Sequence, residues 1–242
     1  MPQIERITMD IEVLLKYFAR AMTLLLVLPL HEAAHAVVAK AFGDRTSDDR
    51  ISLNPFIHLD PLGSVLMLLT GFGWAKPVHV EARNMRNPRA GMALTALAGP
   101  VSNLIAAFAA GLVKAWILST EKGLTAVYDY YIFNKVSMLY CVYLLMEFLM
   151  LVNIGLAVFN LIPIPPLDGF GVLNYFLSYR QKQWVNAHFQ EIQMGFLAFI
   201  IILNLDIIPD SVNPLYLARN GIYDLMWDDL LYKIPSKKWG WG

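Results

Sequence analysis

The sequence predicts an all-α polytopic membrane protein, a bundle of about 4–6 transmembrane helices with a re-entrant or broken segment. Three observations predict it. Of 242 residues, 57% are hydrophobic and only 16% are charged, against about 45–50% apolar and about 25% charged in soluble domains. The mean hydropathy is +0.49. The apolar residues also fall in long runs separated by short polar loops. Formal net charge is zero, so there is no electrostatic case for a nucleic-acid partner. Cys141 is the single cysteine, which excludes an intrachain disulfide framework and a Cys-rich metal site.

The elements follow in order. Residues 1–20 carry both acids and bases ahead of the first apolar run. That is unlike a cleavable secretory signal, so this run is expected to stay in the mature chain. Residues 14–42 are long enough to cross a bilayer core of about 30 Å, with a polar cluster at His31, Glu32 and His35 inside it. A polar loop, 43–60, comes next. Residues 62–72 are apolar but too short to span, and they end in Gly71-Phe72-Gly73-Trp74. A short broken helix or a re-entrant segment fits them. Residues 91–118, rich in Ala and Gly, form the second clear span, which Pro100 should kink. Residues 136–159 form the third, with Glu147 and Asn153 inside it. Three prolines among residues 163–166 then forbid regular helix. Residues 194–208 are a candidate last span. The tail, with Trp227, Trp239 and Trp241, suits a membrane–water interface. One domain is expected over 1–242, with a core at about 14–171 and a C-terminal helix and tail at about 193–242.

The chemistry concentrates at His31-Glu32-Ala33-Ala34-His35, an H-E-x-x-H pattern. Positions i and i+4 of a helix share a face, so both imidazoles can reach one metal ion. Glu32 lies about 100° further round, placed to act on water without binding the metal. Ionisable groups are costly at membrane depth, and three within five residues point to function. Ligand type favours Zn2+. A hydrolytic zinc site has three protein ligands and an open position. Asp168, following the proline-broken stretch, is the best third ligand, although an ordinary loop aspartate before Gly169 reads the same way. Glu147 is the rival intramembrane candidate. It could equally belong to a structural pair or to a proton or substrate path. Asn103 and Asn153 suit hydrogen bonds between helices. His58 suits either the site and its gate or a local loop hydrogen bond. Trp74, Lys76 and residues 78–80 could form an extended edge for substrate.

A helix-borne H-E-x-x-H, followed later in the chain by Asn160, Pro163, Pro165, Leu167, Asp168 and Gly169 in the pattern N-x-x-P-x-P-x-L-D-G, resembles the site-2 protease family of intramembrane zinc metalloproteases. Ala98-Gly99-Pro100-Val101-Ser102-Asn103 resembles a further element of that family. Leu53-Asn54-Pro55 and Gly73-Trp74-Ala75-Lys76-Pro77 resemble its compact bacterial branch, without a PDZ or nucleotide-binding domain. The resemblance covers roughly residues 14–171. It implies His31, His35 and Asp168 as zinc ligands, and Glu32 as the catalytic base. Asn160, and beyond it Asn103 and His58, would contact substrate or transition state. It also implies a multi-pass cell-membrane protein of prokaryotic type, cutting membrane-protein substrates that carry a transmembrane helix.

The metal would sit about 10 Å below one membrane face, the length of helix from His35 to Phe42. If residues 62–72 dip in and return, Arg45, Arg50, Lys76, Arg83, Arg86, Arg89, Arg180 and Lys182 share one side. Arg6, Lys16, Arg20, Lys122 and Lys135 fall on the other. The positive-inside bias then favours cytoplasmic access to the site. Two other classes of function compete: a catalytically inactive zinc-binding membrane scaffold, and a metal ion transporter using His31, His35, Glu147 and Asp168.

Overall fold

The computed structural model describes residues 13–14, 17–70, 73–203 and 221. The tryptophans of the expected interfacial tail, Arg6, Lys16 and the end of the candidate last span lie outside them. In chain order the helices are α1 (Tyr17–Ala41), α2 (Pro55–His58), α3 (Pro61–Thr70), α4 (Pro88–Ser119), α5 (Glu121–Phe133), α6 (Met138–Asn160), α7 (Asp168–Phe176), α8 (Tyr179–Ala187) and α9 (Phe189–Leu203). Among the described residues the only β pairing is one isolated antiparallel bridge, Leu59 with Ala75. Three helices, α1, α4 and α6, are long and apolar enough to cross a membrane. They match the three clear spans of the sequence. The fourth expected span falls on α9, which begins at Phe189 rather than Met194.

α1 changes character halfway. A π turn over Thr23–Val27 precedes Leu28–Ala41, with the Leu28 N–H donating to the Thr23 carbonyl. Pro29 explains the widening. Its ring lacks an N–H and crowds the carbonyl four residues back, and a π turn absorbs that conflict. The regular part of α1 then carries the H-E-x-x-H residues.

α3 is 10 residues long, about 15 Å, half of what a crossing needs. Its flanks are tied together by the Leu59–Ala75 bridge and by the Lys76 N–H donating to the His58 carbonyl at 2.6 Å. The chain therefore enters and returns at the same end of the bundle, as a re-entrant excursion does. Arg20 of α1 caps the far end of α3, donating to the Leu68 and Leu69 carbonyls at 2.8 and 3.0 Å.

α4 is the central helix, packed on α1, α6 and α7. The Asn87 side chain caps it by accepting from the Ala90 N–H, Pro88 opens its first turn, and the helix continues through Pro100. Ala107 and Ala110 meet Met150 and Ile154 of α6 in a buried cluster. Small residues on α4 allow this close approach. Further along, Lys114 of α4 pairs with Glu147 of α6, and its ammonium also lies 5.3 Å from the centre of the Tyr143 ring. Glu147 therefore belongs to a structural pair between two spans. Large apolar side chains such as Leu26, Ile105 and Trp116 face outward, as lipid-facing positions do.

Four helices were not expected: the short α2 inside the polar loop, α7 beginning at Asp168, and α5 and α8. α5 fills the link between α4 and α6. Its signals are polar: the Thr120 side chain caps its start, and Asn134 ends it in a left-handed conformation with φ of 51°. α8 begins with a reciprocal capping box between Ser178 and Gln181, a signature the sequence carries openly. α5 and α8 are too short and too polar to show as apolar runs.

The loop after α1 is held by Asp44. One carboxylate oxygen accepts from the Thr46 N–H, the Thr46 hydroxyl and the Asn84 amide. The other accepts from the Glu81 N–H at 2.7 Å. Burial opposes the charge on Asp44, but these hydrogen bonds outweigh it and hold its pKa at about 2, below the usual 3.8. A carboxyl lowered on folding stabilises the fold above its unfolded pKa, and that contribution is lost as pH falls through the folded one. Stability should therefore decline between about pH 4 and about pH 2 in a step that Asp44→Asn removes. Acid titration followed by intrinsic fluorescence reads it.

The ion pair between α4 and α6 yields a second expectation. Glu147→Ala leaves the buried Lys114 cation without its carboxylate and should cost about 3–5 kcal/mol. The double variant Lys114→Ala/Glu147→Ala should lose clearly less. Thermal unfolding in detergent measures both, and equal losses would contradict the pairing.

Candidate metal centre

His31 and His35 sit on one face of α1, with ring centroids 4.7 Å apart and ring planes at 83°. Asp168, the first residue of α7, arrives from the other end of the core. Residues 161–167 between α6 and α7 are irregular, and the Pro165–Pro166 peptide is cis. The Gly169 that follows is required by space. A Cβ there would lie 2.2 Å from the Leu161 carbonyl oxygen.

The two Nε2 atoms are 3.1 Å apart. Asp168 Oδ2 lies 3.2 Å from His31 Nε2, and Oδ1 lies 3.4 Å from His35 Nε2. A tetrahedral ion with bonds of about 2.0–2.2 Å needs ligand–ligand edges of about 3.3–3.6 Å. The nearest donor atoms of the three side chains are thus spaced close to such an edge, each imidazole facing a different oxygen of Asp168, and one donor from each residue lies within 4.8 Å of the others. His35 Nδ1 is 2.6 Å from the Thr95 carbonyl. A carbonyl only accepts, so Nδ1 carries the hydrogen, which leaves Nε2 as the nitrogen turned to the cluster. Both histidines are buried and Asp168 is half-buried. Lone pairs gathered beside a carboxylate in such a setting call for a cation between them. The donor set fits a metal ion.

α4 forms a wall against the ligand nitrogens of the imidazoles. A Cβ on Gly99 would stand 2.5 Å from His31 Nε2 and from His35 Nε2, so only glycine lets this helix back the site. One turn along α4 from Gly99, a Cβ on Gly171 would meet the Ala96 Cβ at 2.5 Å, which shows how closely α7 lies against the same helix.

Glu32 is outside the donor triangle. Its Oε2 accepts the Val78 N–H at 3.0 Å. Val78 belongs to the non-helical stretch that returns from α3, which is stitched down by the Ser47 hydroxyl on the His79 carbonyl at 2.6 Å and by Arg50 on the carbonyls of residues 76 and 77. The segment read as an extended edge for substrate therefore already has one of its N–H groups on Glu32.

The remaining candidates are placed as follows. Asn160 is the last residue of α6 and is half-buried. Asn103 is fully buried one turn beyond Gly99, and neither of its amide atoms has a hydrogen-bond partner. His58 is fully buried in the loop cover, where Nε2 donates to the Ser52 carbonyl at 2.8 Å. It is not in the metal cluster, and it makes the local hydrogen bond. Glu147 is not in it either. Sequence reasoning missed the backing role of Gly99, the tautomer lock from Thr95, and the Val78 N–H on Glu32. The small residues around Gly99 were a visible signal. The two main-chain groups had none.

The profile of peptidase family M50 matches residues 18–203. The chain is 34% identical over 184 residues to "Putative zinc metalloprotease YwhC" of Bacillus subtilis (strain 168), covering 75% of this chain and 78% of the relative. It is 29% identical over 188 residues to "Putative zinc metalloprotease Rip2" of Mycolicibacterium smegmatis, covering 74% of this chain and 64% of the relative. No solved structure matches the chain significantly.

The close backing of the imidazoles predicts that Gly99→Ala pushes them out of register, at about 1–3 kcal/mol of overpacking. Metal content per chain, measured by elemental analysis on detergent-purified protein, should fall. Full metal content in that variant would show that α4 does not set the ligand geometry.

Proposed function

The chain belongs to peptidase family M50, and from that premise we propose that it is a membrane-embedded zinc endopeptidase that hydrolyses peptide bonds in or near the transmembrane segments of membrane proteins. The observation that carries this reading is the convergence of His31 Nε2 and His35 Nε2, 3.1 Å apart, on the Asp168 carboxylate, with Oδ2 3.2 Å from the first and Oδ1 3.4 Å from the second. These three residues would hold the ion. Zinc there supplies a Lewis acid that acidifies water and polarises a carbonyl.

The chain's own groups do the proton work. Glu32 accepts a proton from the attacking water and delivers it to the departing amine nitrogen, so one water is consumed for each peptide bond broken. The Val78 N–H holds the Glu32 carboxylate in place. Asn160, at the end of α6, would contact the substrate main chain or the transition state. Asn103, whose buried amide has no hydrogen-bond partner among the described residues, would supply a second polar contact. A helical substrate has to unwind locally, because a carbonyl already bonded within a helix is shielded from attack.

The site opens, in this reading, toward the cytoplasm of a multi-pass protein in a cell membrane. The paired flanks of α3 put the loops bearing Arg45, Lys76, Arg83, Arg86 and Arg89 at one end of the bundle. Basic loops favour the cytoplasmic side.

Elemental analysis of detergent-purified protein tests the assignment. Wild type should carry about one zinc per chain, and Asp168→Ala far less. Glu32→Gln should keep its zinc and lose cleavage of a membrane-spanning reporter peptide. Zinc indifferent to Asp168 would break the three-ligand site. Unchanged biological function in Glu32→Gln would favour a scaffold, and metal flux into liposomes a transporter.

A further inference from the structure

Arg50 is a cation with only 8% of its surface exposed. It lies in the loop after α1, and its guanidinium bonds are spent on main-chain carbonyls. Nη1 donates to Ile57, and Nη2 donates to Lys76 at 2.6 Å and to Pro77 at 3.2 Å. Burying a charge is costly unless its donors are satisfied, so this side chain has a fixed place. A planar fork can hold several acceptors at once, which a lysine ammonium on a flexible stem does not do.

The Pro77 carbonyl and the Val78 N–H belong to the same peptide unit. That unit is planar, and it is not the cis bond of this chain, which is at Pro165–Pro166. In a trans peptide, C=O and N–H point in opposite directions from one rigid plate. Arg50 grips the oxygen edge of the plate, and the opposite edge donates to Glu32 Oε2 at 3.0 Å. Fixing one edge fixes the direction of the other.

We propose that Arg50 is a positioning residue for the catalytic base: through the peptide plane joining residues 77 and 78, it aims the N–H that holds the Glu32 carboxylate. This rests on the zinc endopeptidase reading, in which Glu32 is the base. Arg50 itself touches neither substrate nor metal.

Hydrogen exchange at the Val78 amide, read by mass spectrometry on the zinc-loaded, detergent-purified full chain, tests the clamp without relying on turnover. Glu32→Ala and Arg50→Ala should each strip that amide of its protection. Combining them should add little, because both remove the same hold. Arg50→Lys, the gentler change should Arg50→Ala not fold, should leave the amide partly protected. Zinc content should stay at the wild-type level in every Arg50 variant. In parallel, kcat on a quenched fluorescent apolar peptide with a central Gly-Pro break should fall about 10–100-fold in Arg50→Ala, with KM little changed. Wild-type protection of Val78 in both Arg50 variants would overturn the clamp. A released amide with wild-type kcat would overturn the positioning role. A wild-type chain without zinc or cleavage would instead defeat the endopeptidase reading, and the exchange result would still report on the peptide plane.

Discussion

Everything about the site turns on three lone-pair donors from distant parts of the chain meeting inside an apolar bundle. His31 and His35 bring no difficulty of their own, since one helical turn aligns them. Asp168 is the demanding partner. Its carboxylate must travel from the end of α6 to the face of α1 and stop within about 3.4 Å of both imidazoles. A regular helix cannot deliver it. The proline-rich stretch ends α6, folds back so closely that Gly169 is needed, and starts α7 at the aspartate.

α4 makes that meeting possible by being thin where it matters. Gly99 lets it touch the imidazoles, Thr95 supplies the carbonyl that orients His35, and Gly171 of α7 packs on Ala96 one turn away. One helix therefore sets the positions of both sides of the metal triangle. The same helix is joined to α6 by the Lys114–Glu147 pair, well away from the site. Removing polar groups from water at this depth is expensive, and the structure meets that cost by pairing them between spans.

The cover over Glu32 uses a different kind of bond. Asp44, Ser47 and Arg50 lie in the polar loop after α1, and each of them holds main chain from the segment returning from α3. Such contacts leave almost no trace in sequence, because any residue supplies the same carbonyl and N–H. That is why Trp74, Lys76 and residues 78–80 read as an open edge, although the Val78 N–H is already taken by Glu32. The same limit applies to His58, whose carbonyl bond to Lys76 and ring bond to Ser52 come from loop folding. It applies also to Glu147, whose partner lies 33 residues back along the chain.

The sequence by itself determined the membrane class, the three long spans, the short excursion between them and the chemical identity of the side chains that could hold a metal. Each of these depends on local facts: apolar run length against bilayer thickness, and the i, i+4 spacing of imidazoles on a helix. Even α5 and α8 were locally announced, by the caps at Thr120 and Ser178 rather than by hydropathy. Only the tertiary structure decided that Asp168 rather than Glu147 closes the triangle, that Gly99 is the wall behind it, and that a peptide plane holds Glu32. Those outcomes depend on distances between segments remote in sequence, and close packing, not composition, sets such distances.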